Sequence, residues 1–399
     1  MIFSKSSIPE EVQRLFTLLG NKNLRFVGGC VRNALLGLPI TDIDLATTLR
    51  PEEVMRTLKA AHIQCIPTGI DYGTVTAVLN GVGYQITTLR RDVATDGRRA
   101  VVAYTTDWAE DAARRDLTVN ALYADWNGMI YDPLGEGLKD IEKRRIRFVG
   151  DPEVRIQEDY LRILRFLRFY SFYGAGPIDQ RGLSASIKFS HKIKTLSRER
   201  VSDEFRKILI GPNPEKVLKL MRDHRILPEI ISNNFNPKRI GSELKFENHV
   251  TILDTEVVFA VRLFIVANFS TKRIRNLSNH LIISKKLNQI LKDISTIKIN
   301  TKRIEMLKMM EYVYFYPRDS VAAALILWAV NSEMSLSEFK KIWRNFITLE
   351  PPVFPISGKD LIAEGIAQDI AIGEKLKALE KKWIKSGFRL TRSELLDLD

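Results

Sequence analysis

The 399-residue sequence is poor in the residues on which metal and disulfide chemistry most often depends, with two cysteines and five histidines. Cys30 and Cys65 form neither a zinc-binding spacing nor a disulfide framework, and free thiols suit a reducing compartment, which we expect to be the cytoplasm. No histidine is directly followed by an aspartate, so a His-Asp metal centre is not expected. These absences argue against a disulfide-stapled or zinc-dependent protein.

Long apolar segments are also missing. The longest run, VAAALILWAV at 321–330, is well short of the roughly 20 apolar residues that span a bilayer, so it predicts a buried helix. Glutamates appear within the first stretch, MIFSKSSIPEEV, and we therefore expect no signal peptide. With no repeat and no low-complexity segment, the sequence predicts a protein of several folded domains without a membrane partner.

Positive charge is abundant. Lysines and arginines number 61 against 48 aspartates and glutamates, which gives a net charge of +13. An excess of this kind favours an anionic partner, with RNA or DNA as the first expectation.

The secondary-structure pattern changes near residue 150. Before that point, the alternating segments 73–79 and 84–90, joined through Asn80-Gly81, predict a strand hairpin, and 51–63 predicts a helix that begins with proline. From residue 153 onward almost every segment has helical periodicity. The sequence therefore predicts an α/β head followed by a long all-helical remainder.

A glycine pair marks the first candidate site. RFVGGCVRNALLG at 25–37 predicts a strand, a turn at Gly28 and Gly29, and a helix. Glycines let the backbone approach a ligand closely, and the N–H groups of a helix N-terminus can bind phosphate. Arg32 in the first turn can add a charge-assisted contact. A structural turn is the alternative interpretation.

Two aspartates follow in TDIDLAT at 41–47. If this segment is a strand, Asp42 and Asp44 point to the same face, where they repel each other unless a cation lies between them. Mg²⁺ is typically bound by one or two carboxylates plus substrate phosphates. The pair is therefore the candidate catalytic and metal-binding site, and a solvated strand face is the alternative.

The combination GG-x-V-R followed by D-x-D resembles the polymerase-β-like nucleotidyltransferases, and more narrowly the tRNA CCA-adding enzymes and their poly(A) polymerase relatives. RRDLTVNALYAD at 114–125 is similar to the second motif of that family. The resemblance implies that Arg115 contacts the triphosphate and that Asp116 and Asn120 hydrogen-bond a ribose. Polar residues on a helix surface are the alternative explanation of this segment.

EDYLRILRFLRF at 158–169 carries Asp159, Arg162, Arg165 and Arg168 at intervals of three, so helical neighbours share a side. Cytosine and adenine both present an amino donor beside a ring-nitrogen acceptor. A carboxylate can accept from the first and a guanidinium can donate to the second. The segment resembles the family motif E-D-x-x-R-x-x-R, which assigns base selection to Asp159 and Arg162 and places Arg165 and Arg168 near the nucleotide. An ion pair between Asp159 and Arg162 is the alternative.

The resemblance implies an α+β fold, with a polymerase-β-like nucleotidyltransferase head and a mixed sheet followed by an all-helical neck, body and tail. We expect the catalytic head at 1–150, the neck at 151–212, the body at 213–300 and a tRNA-binding tail at 301–399. The segments 196–209, 356–366 and 379–388 resemble the neck and tail of the family.

Two positions depart from the family pattern. The first motif usually reads V-R-D, whereas Asn33 follows Arg32 here, and relatives often have an acidic residue where Gln85 stands. Glutamine cannot act as a base. Either Asp42 and Asp44 suffice, or Asp116 or Asp92 substitutes, or activity is reduced, and we favour the first.

The expected reaction is addition of CCA to tRNA from CTP and ATP, with Mg²⁺ as cofactor and no DNA substrate. The segment 88–116 holds a polar, glycine-containing loop between predicted strands. It looks like the complete loop of the family's enzymes that add the terminal A, and a poly(A) polymerase signature is absent. A poly(A) polymerase and a non-catalytic tRNA-binding homologue are the alternatives. In the basic segment 375–392 the predicted tRNA phosphate contacts are Lys381, Lys382, Lys385 and Arg389.

Overall fold

The structure of the chain is a computed structural model. It describes residues 8–96, 99–231, 238–250, 254–270, 281–299, 304–363 and 370–397, together with 272, 274 and 277. The chain divides into two compact units, residues 1–233 and 234–399. The finer division into head, neck, body and tail stays a prediction.

A mixed sheet forms the first part of unit 1. Seven strands lie in the order β3-β4-β5-β2-β1-β8-β9, and β2 and β5 are parallel whereas the other neighbours are antiparallel. The strands are β1 (Leu24–Val27), β2 (Asp44–Thr47), β3 (Gln64–Gly69), β4 (Thr74–Leu79), β5 (Val82–Thr88), β6 (Arg90–Asp96), β7 (Arg99–Tyr104), β8 (Tyr123–Ala124) and β9 (Ile130–Tyr131).

The predicted hairpin is confirmed as β4 and β5, which pair from Thr74 with Thr87 to Leu79 with Val82. Asn80 and Gly81 connect them with φ values of 50° and 78°, as a two-residue turn between twisted strands requires. The segment 88–116, which was predicted to hold a polar loop between strands, contains β6 and β7, and these pair as a separate two-stranded ribbon.

Helices make up the rest of unit 1, and among the described residues no strand follows β9, as the sequence predicted. The apolar residues of α7 pack inward, with Phe166 and Leu167 fully buried. The helices are α1 (Glu10–Leu19), α2 (Gly29–Leu35), α3 (Pro51–Ala60), α4 (Trp108–Ala113), α5 (Gly137–Glu142), α6 (Pro152–Glu158), α7 (Leu161–Tyr173), α8 (Gln180–Phe189), α9 (Arg198–Ile210) and α10 (Pro214–Asp223).

Unit 2 is helical throughout its described residues. The run at 321–330 lies in a helix buried from Ser320 to Val330, as predicted. No helix in the described part of the chain is long and apolar enough to cross a membrane. The helices are α11 (Lys238–Glu247), α12 (Thr255–Val266), α13 (Lys285–Thr296), α14 (Met306–Phe315), α15 (Arg318–Asn331), α16 (Leu336–Thr348), α17 (Gly358–Ala363), α18 (Ile370–Lys385) and α19 (Arg392–Leu396).

One charged cluster lies inside unit 2. The guanidinium of Arg262 on α12 is ion-paired with Glu243 and Glu247 of α11, and Glu243 and Arg262 are each 1% exposed. Burial raises the pKa of Glu243 to about 8, although Arg262 opposes the shift. The cluster links α11 to α12, and the raised pKa of Glu243 shows that pairing with Arg262 does not fully offset the cost of burying its charge.

Candidate functional site

A cavity of about 800 Å³ in unit 1 brings the predicted nucleotide-binding residues together. They come from the turn after β1, from the start of β2, from the loop after α4 and from α7, so one site is assembled from four distant stretches of sequence. Those among them that line the cavity are Gly28, Gly29, Arg32, Asp42, Asp44, Arg115, Asp116, Asn120, Asp159, Arg162, Arg165 and Arg168. The roles assigned to them stay predictions.

The glycine turn has the predicted strand-turn-helix form. Gly28 has a φ of +70°, a conformation that L side chains rarely adopt, and α2 begins at Gly29. A Cβ atom on Gly28 would lie 3.7 Å from the carbonyl oxygen of Asn120 and 3.8 Å from Arg115 Nη1. Both distances are ordinary van der Waals contacts, so the positive φ of Gly28, and not a lack of space, is what favours glycine here.

Arg32 is 6% exposed and mostly engaged with the protein. Its Nη1 donates to Asn120 Oδ1 over 2.5 Å and its Nη2 donates to the Asn33 and Tyr173 oxygens, both over 2.9 Å. Burial lowers the pKa of the guanidinium, yet leaves it charged. Asn33, which replaces the usual aspartate, thus holds the arginine through its amide oxygen.

The two candidate catalytic carboxylates both face the cavity, but the prediction of one continuous strand is wrong. β2 begins at Asp44, and Asp42 precedes it in an irregular segment, where Thr41 Oγ1 donates to Asp42 Oδ2 over 3.0 Å. Burial and the neighbouring charge of Asp42 raise the pKa of Asp44, whereas Arg115 lowers it. Among the described residues, neither carboxylate forms an ion pair.

Gln85 lies directly beside Asp44, because the two residues are partners in the parallel register of β2 and β5. The third strand position that the resemblance assigns to an acid is therefore neutral. Of the two substitutes considered, Asp116 is already bound, accepting from Arg165 Nε over 2.8 Å and from Asn120 Nδ2 over 3.2 Å. The side chain of Asp92 lies outside the described residues.

Arg115 is anchored by an acid that the sequence analysis missed. Asp111, 1% exposed, accepts from Arg115 Nη2 over 2.8 Å, from the Tyr123 hydroxyl over 2.7 Å and from Arg114 Nε over 2.9 Å. Burial opposes its ionisation, but the two arginines hold the pKa of Asp111 well below its usual range. The i,i+4 spacing of Asp111 and Arg115 was a signal that could have identified the pair.

Asp159 does not belong to the arginine helix, which corrects the predicted stripe. It lies between α6 and α7 in extended conformation, and its Oδ1 accepts from the N–H of Leu161 over 3.1 Å. The alternative of an Asp159–Arg162 ion pair is also wrong. Asp159 accepts from Arg200 Nη2 over 2.6 Å, and Arg162 Nη1 donates to Glu158 Oε2 over 2.6 Å.

The other two arginines of the motif also have carboxylate partners within the protein. Arg165 pairs with Asp116 at 2.6 Å, and Arg168 pairs with Glu204 at 2.6 Å. Burial opposes ionisation of Asp116, but Arg165 holds its pKa well below the usual range. Arg200 and Glu204 both lie on α9, so this helix positions side chains of the site as well as supporting the fold.

The predicted tRNA-contacting residues lie in unit 2. Lys381, Lys382 and Lys385 are solvent-accessible near the end of α18, and Arg389 follows the helix. Trp383, between them in sequence, is 3% exposed and packs in an apolar cluster with Ile356, Leu361, Leu379 and Leu395. The helix is amphipathic, with a basic solvent-facing side.

The carboxylates of Asp42 and Asp44 have the chemistry of ligands for a divalent ion. The described residues contain no cluster of three histidine, cysteine or acidic side chains that could hold a metal. Asp42 and Asp44 are nevertheless close enough for one to raise the pKa of the other, and two carboxylates beside a phosphate site match the ligand set of Mg²⁺. A closed zinc-type site does not match.

Comparison with known proteins identifies the family. Residues 24–147 match the family described as "Poly A polymerase head domain", and residues 177–233 match "Probable RNA and SrmB- binding site of polymerase A". The mouse mitochondrial CCA tRNA nucleotidyltransferase 1 is 34% identical over 98% of this chain and 90% of its own length. The CCA-adding enzyme of Ligilactobacillus salivarius is 32% identical over 94% of this chain and 93% of its own length.

Solved structures share the fold. The Bacillus stearothermophilus CCA-adding enzyme in complex with CTP has a TM-score of 0.75 and 24% identity, covering 94% of this chain and 93% of that one. The Thermotoga maritima CCA-adding enzyme complexed with tRNA has a TM-score of 0.68 and 19% identity, and the match covers 98% of this chain and 95% of that one.

The mixed-sheet head, its pair of cavity-facing carboxylates and these relatives define a nucleotidyltransferase. The chain belongs to the family of CCA-adding tRNA nucleotidyltransferases, as its motifs predicted.

Proposed function

We propose that the chain adds CCA to the 3′ end of tRNA from CTP and ATP, with release of pyrophosphate. The observation that carries the proposal is the convergence, on one 800 Å³ cavity, of the carboxylates of Asp42 and Asp44, several arginines, and the side chains of Asp159 and Arg162. A triphosphate needs cations, a nucleotidyl transfer needs acids that bind a divalent ion, and base selection needs a donor and an acceptor.

In the proposed reaction, the 3′-hydroxyl oxygen of the RNA forms a bond to the α-phosphorus. The bond from that phosphorus to the bridging oxygen breaks, pyrophosphate leaves, and the proton of the attacking hydroxyl passes to solvent water. Arg115, fixed by Asp111, and Arg32, fixed by Asn120, neutralise phosphate charge. In their ionised forms, Asp42 and Asp44 would hold Mg²⁺. When bound, the ion supplies charge neutralisation and favours deprotonation of the attacking hydroxyl.

Base selection is proposed to follow from Asp159 and Arg162. The Asp159 carboxylate accepts from the amino group that cytosine and adenine share, and the Arg162 guanidinium donates to the adjacent ring nitrogen. Uracil and guanine present the opposite pattern. Arg200 and Glu158 support this role, because each holds one of the two side chains, and a carboxylate oxygen that accepts one hydrogen bond can accept a second from a base.

The tRNA body is proposed to contact the basic side of α18 through Lys381, Lys382, Lys385 and Arg389. Such phosphate contacts set affinity and salt dependence and carry no sequence information. A cytoplasmic location is proposed from the free cysteines, whereas the mouse and human relatives are named as mitochondrial proteins.

Product analysis tests the proposal. The purified chain would be incubated with tRNA lacking CCA, Mg²⁺ and either CTP alone, ATP alone or both. We expect two C residues with CTP alone, and a complete CCA end when ATP is added. Long CTP-independent A tails would instead identify the poly(A) polymerase that the names of the matched families suggest.

The same assay tests the non-catalytic alternative that Gln85 raises. A chain that had lost turnover would bind tRNA without releasing pyrophosphate in the presence of Mg²⁺ and both nucleotides. That result would overturn the proposed enzymatic function.

A further inference from the structure

A second cavity, of about 640 Å³, lies against the carboxylates of the first one. Its lining combines residues before α1, residues 40–44 and the beginning of β5. Asp42, Asp44 and Gln85 line both cavities, so these three residues form a shared wall.

The two cavities differ in charge. Seven arginines and Lys207 are among the described residues that line the first cavity, whereas no lysine or arginine is among those that line the second. The second is lined instead by apolar side chains such as Ile40, Ile43 and Val82, by the aromatic residue Tyr84 and by Thr41. A polyphosphate would therefore enter the first cavity in preference to the second, because only the first offers compensating charge.

The second cavity has the chemistry of a nucleoside site. Apolar and aromatic walls accommodate a base and the carbon face of a ribose, and a few hydroxyl and amide groups can orient the ribose. Two of its apolar lining residues are exposed to solvent, Val82 at 51% and Ile40 at 38%. A volume of 640 Å³ lies within the usual range for small-molecule sites, about 300–1,000 Å³.

Nucleotidyl transfer requires two ligands to meet at the carboxylates. The proposed base-selecting residues and the arginines line the first cavity, so the incoming triphosphate fills it. The hydroxyl that attacks must then reach the same carboxylates from another side, and the second cavity is open to that wall.

We infer that the second cavity holds the 3′-terminal nucleoside of the acceptor RNA, with Val82 and Ile40 contacting its base or ribose and Gln85 hydrogen-bonding its ribose. This inference rests on the proposed function. It gives the neutral Gln85 a part that a third carboxylate would not perform equally well, because an amide can both donate to and accept from a ribose hydroxyl.

Val82→Trp tests the inference, because an exposed side chain at the cavity can be enlarged without repacking the core. The matched control is Ile66→Trp. Ile66 is 41% exposed on β3 and is not among the described residues lining either cavity. Thermal unfolding of both variants would establish that they fold.

For Val82→Trp we expect the KM for tRNA ending in CC to rise about tenfold, since overfilling a formed pocket costs that much in binding, while the Kd for CTP stays unchanged. Ile66→Trp should leave both constants unchanged. A rise in the CTP Kd equal to that in the acceptor KM, or an unchanged acceptor KM, would overturn the inference.

A second readout needs no turnover, so it separates this inference from the proposed function. A tRNA analogue ending in the fluorescent base 2-aminopurine would be titrated with wild type, Val82→Trp and Gln85→Ala in the absence of nucleotide. We expect a fluorescence change with wild type that both variants diminish. An identical change with all three proteins would place the terminal nucleoside elsewhere, whether or not the chain adds nucleotides.

Discussion

The carboxylates at the larger cavity fall into two groups that differ in their ion pairing and in the direction of their pKa shifts. Asp116, which lines the cavity, and Asp111, which holds the lining residue Arg115, are both bound by arginines, and these cations hold each pKa well below its usual range despite burial. By contrast, Asp42 and Asp44 form no ion pair among the described residues, and the pKa of Asp44 is raised. The difference separates the acids that position the protein's own arginines from the two acids that we propose as metal ligands.

Removing Asp42 or Asp44 gives the largest expected effect. Asp42→Ala and Asp44→Ala should each lower kcat by about a thousandfold or more, because the charge stabilisation by a bound divalent ion is worth several kcal/mol. Quenched single-turnover assays with CTP and CC-lacking tRNA measure this effect, and filter binding should show tRNA affinity nearly intact. Asp71→Asn, at an exposed position in the same unit, is the control. Loss of tRNA binding in either alanine variant would mean that the residue is structural.

For the free energy of unfolding we expect the opposite order, with a larger effect at Asp111 than at Asp44. Asp111→Asn should lower the free energy of unfolding by about 3 kcal/mol, because it leaves buried arginine charge uncompensated. Asp44→Asn should change it by less than about 0.5 kcal/mol, because it removes repulsion from Asp42 and disrupts no ion pair among the described residues. Urea denaturation at neutral pH measures both. Equal destabilisation would show that the two groups are energetically alike.

The same contrast predicts opposite responses to pH. Asp111 and Asp116 have folded-state pKa values below the ordinary 3.8, so their stabilisation is present above that pH and is lost as the pH falls through the folded-state values. Asp44 has a raised pKa, so on acidification its free carboxylate takes up a proton before those of Asp111 and Asp116 do. Activity should therefore decline on acidification before the protein unfolds. Coincident loss of activity and of native circular dichroism would contradict this order.

Loss of the proposed base-reading arginine should have a smaller effect than loss of a catalytic aspartate, and the effect should be on base selection. Arg162→Ala should reduce discrimination of CTP against UTP by about 10- to 100-fold, which corresponds to removing one base-reading side chain worth about 1–3 kcal/mol. Competition assays with both nucleotides measure the ratio, and tRNA affinity is the internal control. If UTP remains excluded, Arg162 does not select the base.

The smallest effect is expected in unit 2. Alanine replacement of Lys381, Lys382, Lys385 and Arg389 should weaken tRNA binding and lower the dependence of log Kd on log salt by about one for each phosphate that is no longer neutralised. Lys340→Ala with Lys341→Ala, at exposed positions of α16, is the control. If the control variant weakens tRNA binding equally, the effect comes from the overall loss of positive charge and not from specific contacts of the α18 surface.

The sequence predicted those parts of the site that are built from residues close to one another along the chain. The glycine turn, the Asn80-Gly81 hairpin and the D-x-D pair each depend on residues within a few positions of one another. The helix boundary at Asp159 was missed because the periodicity of arginines continues across a break that only the backbone shows.

The partners of the arginines could not be predicted in the same way. Arg168 and Glu204 are 36 residues apart, and Arg165 and Asp116 are 49 apart. Spacing within a helix says nothing about which distant carboxylate will lie opposite, because tertiary packing decides it. For this reason the sequence of α9 did not predict that Arg200 and Glu204 hold Asp159 and Arg168.

The most direct test of the account is a crystal structure of the chain with a non-hydrolysable CTP analogue and Mn²⁺, whose anomalous signal locates the ion. The account predicts a peak between the carboxylates of residues 42 and 44 and the triphosphate, with the cytosine edge against Asp159 and Arg162. An ion bound elsewhere, or carboxylates turned away from the triphosphate, would contradict it.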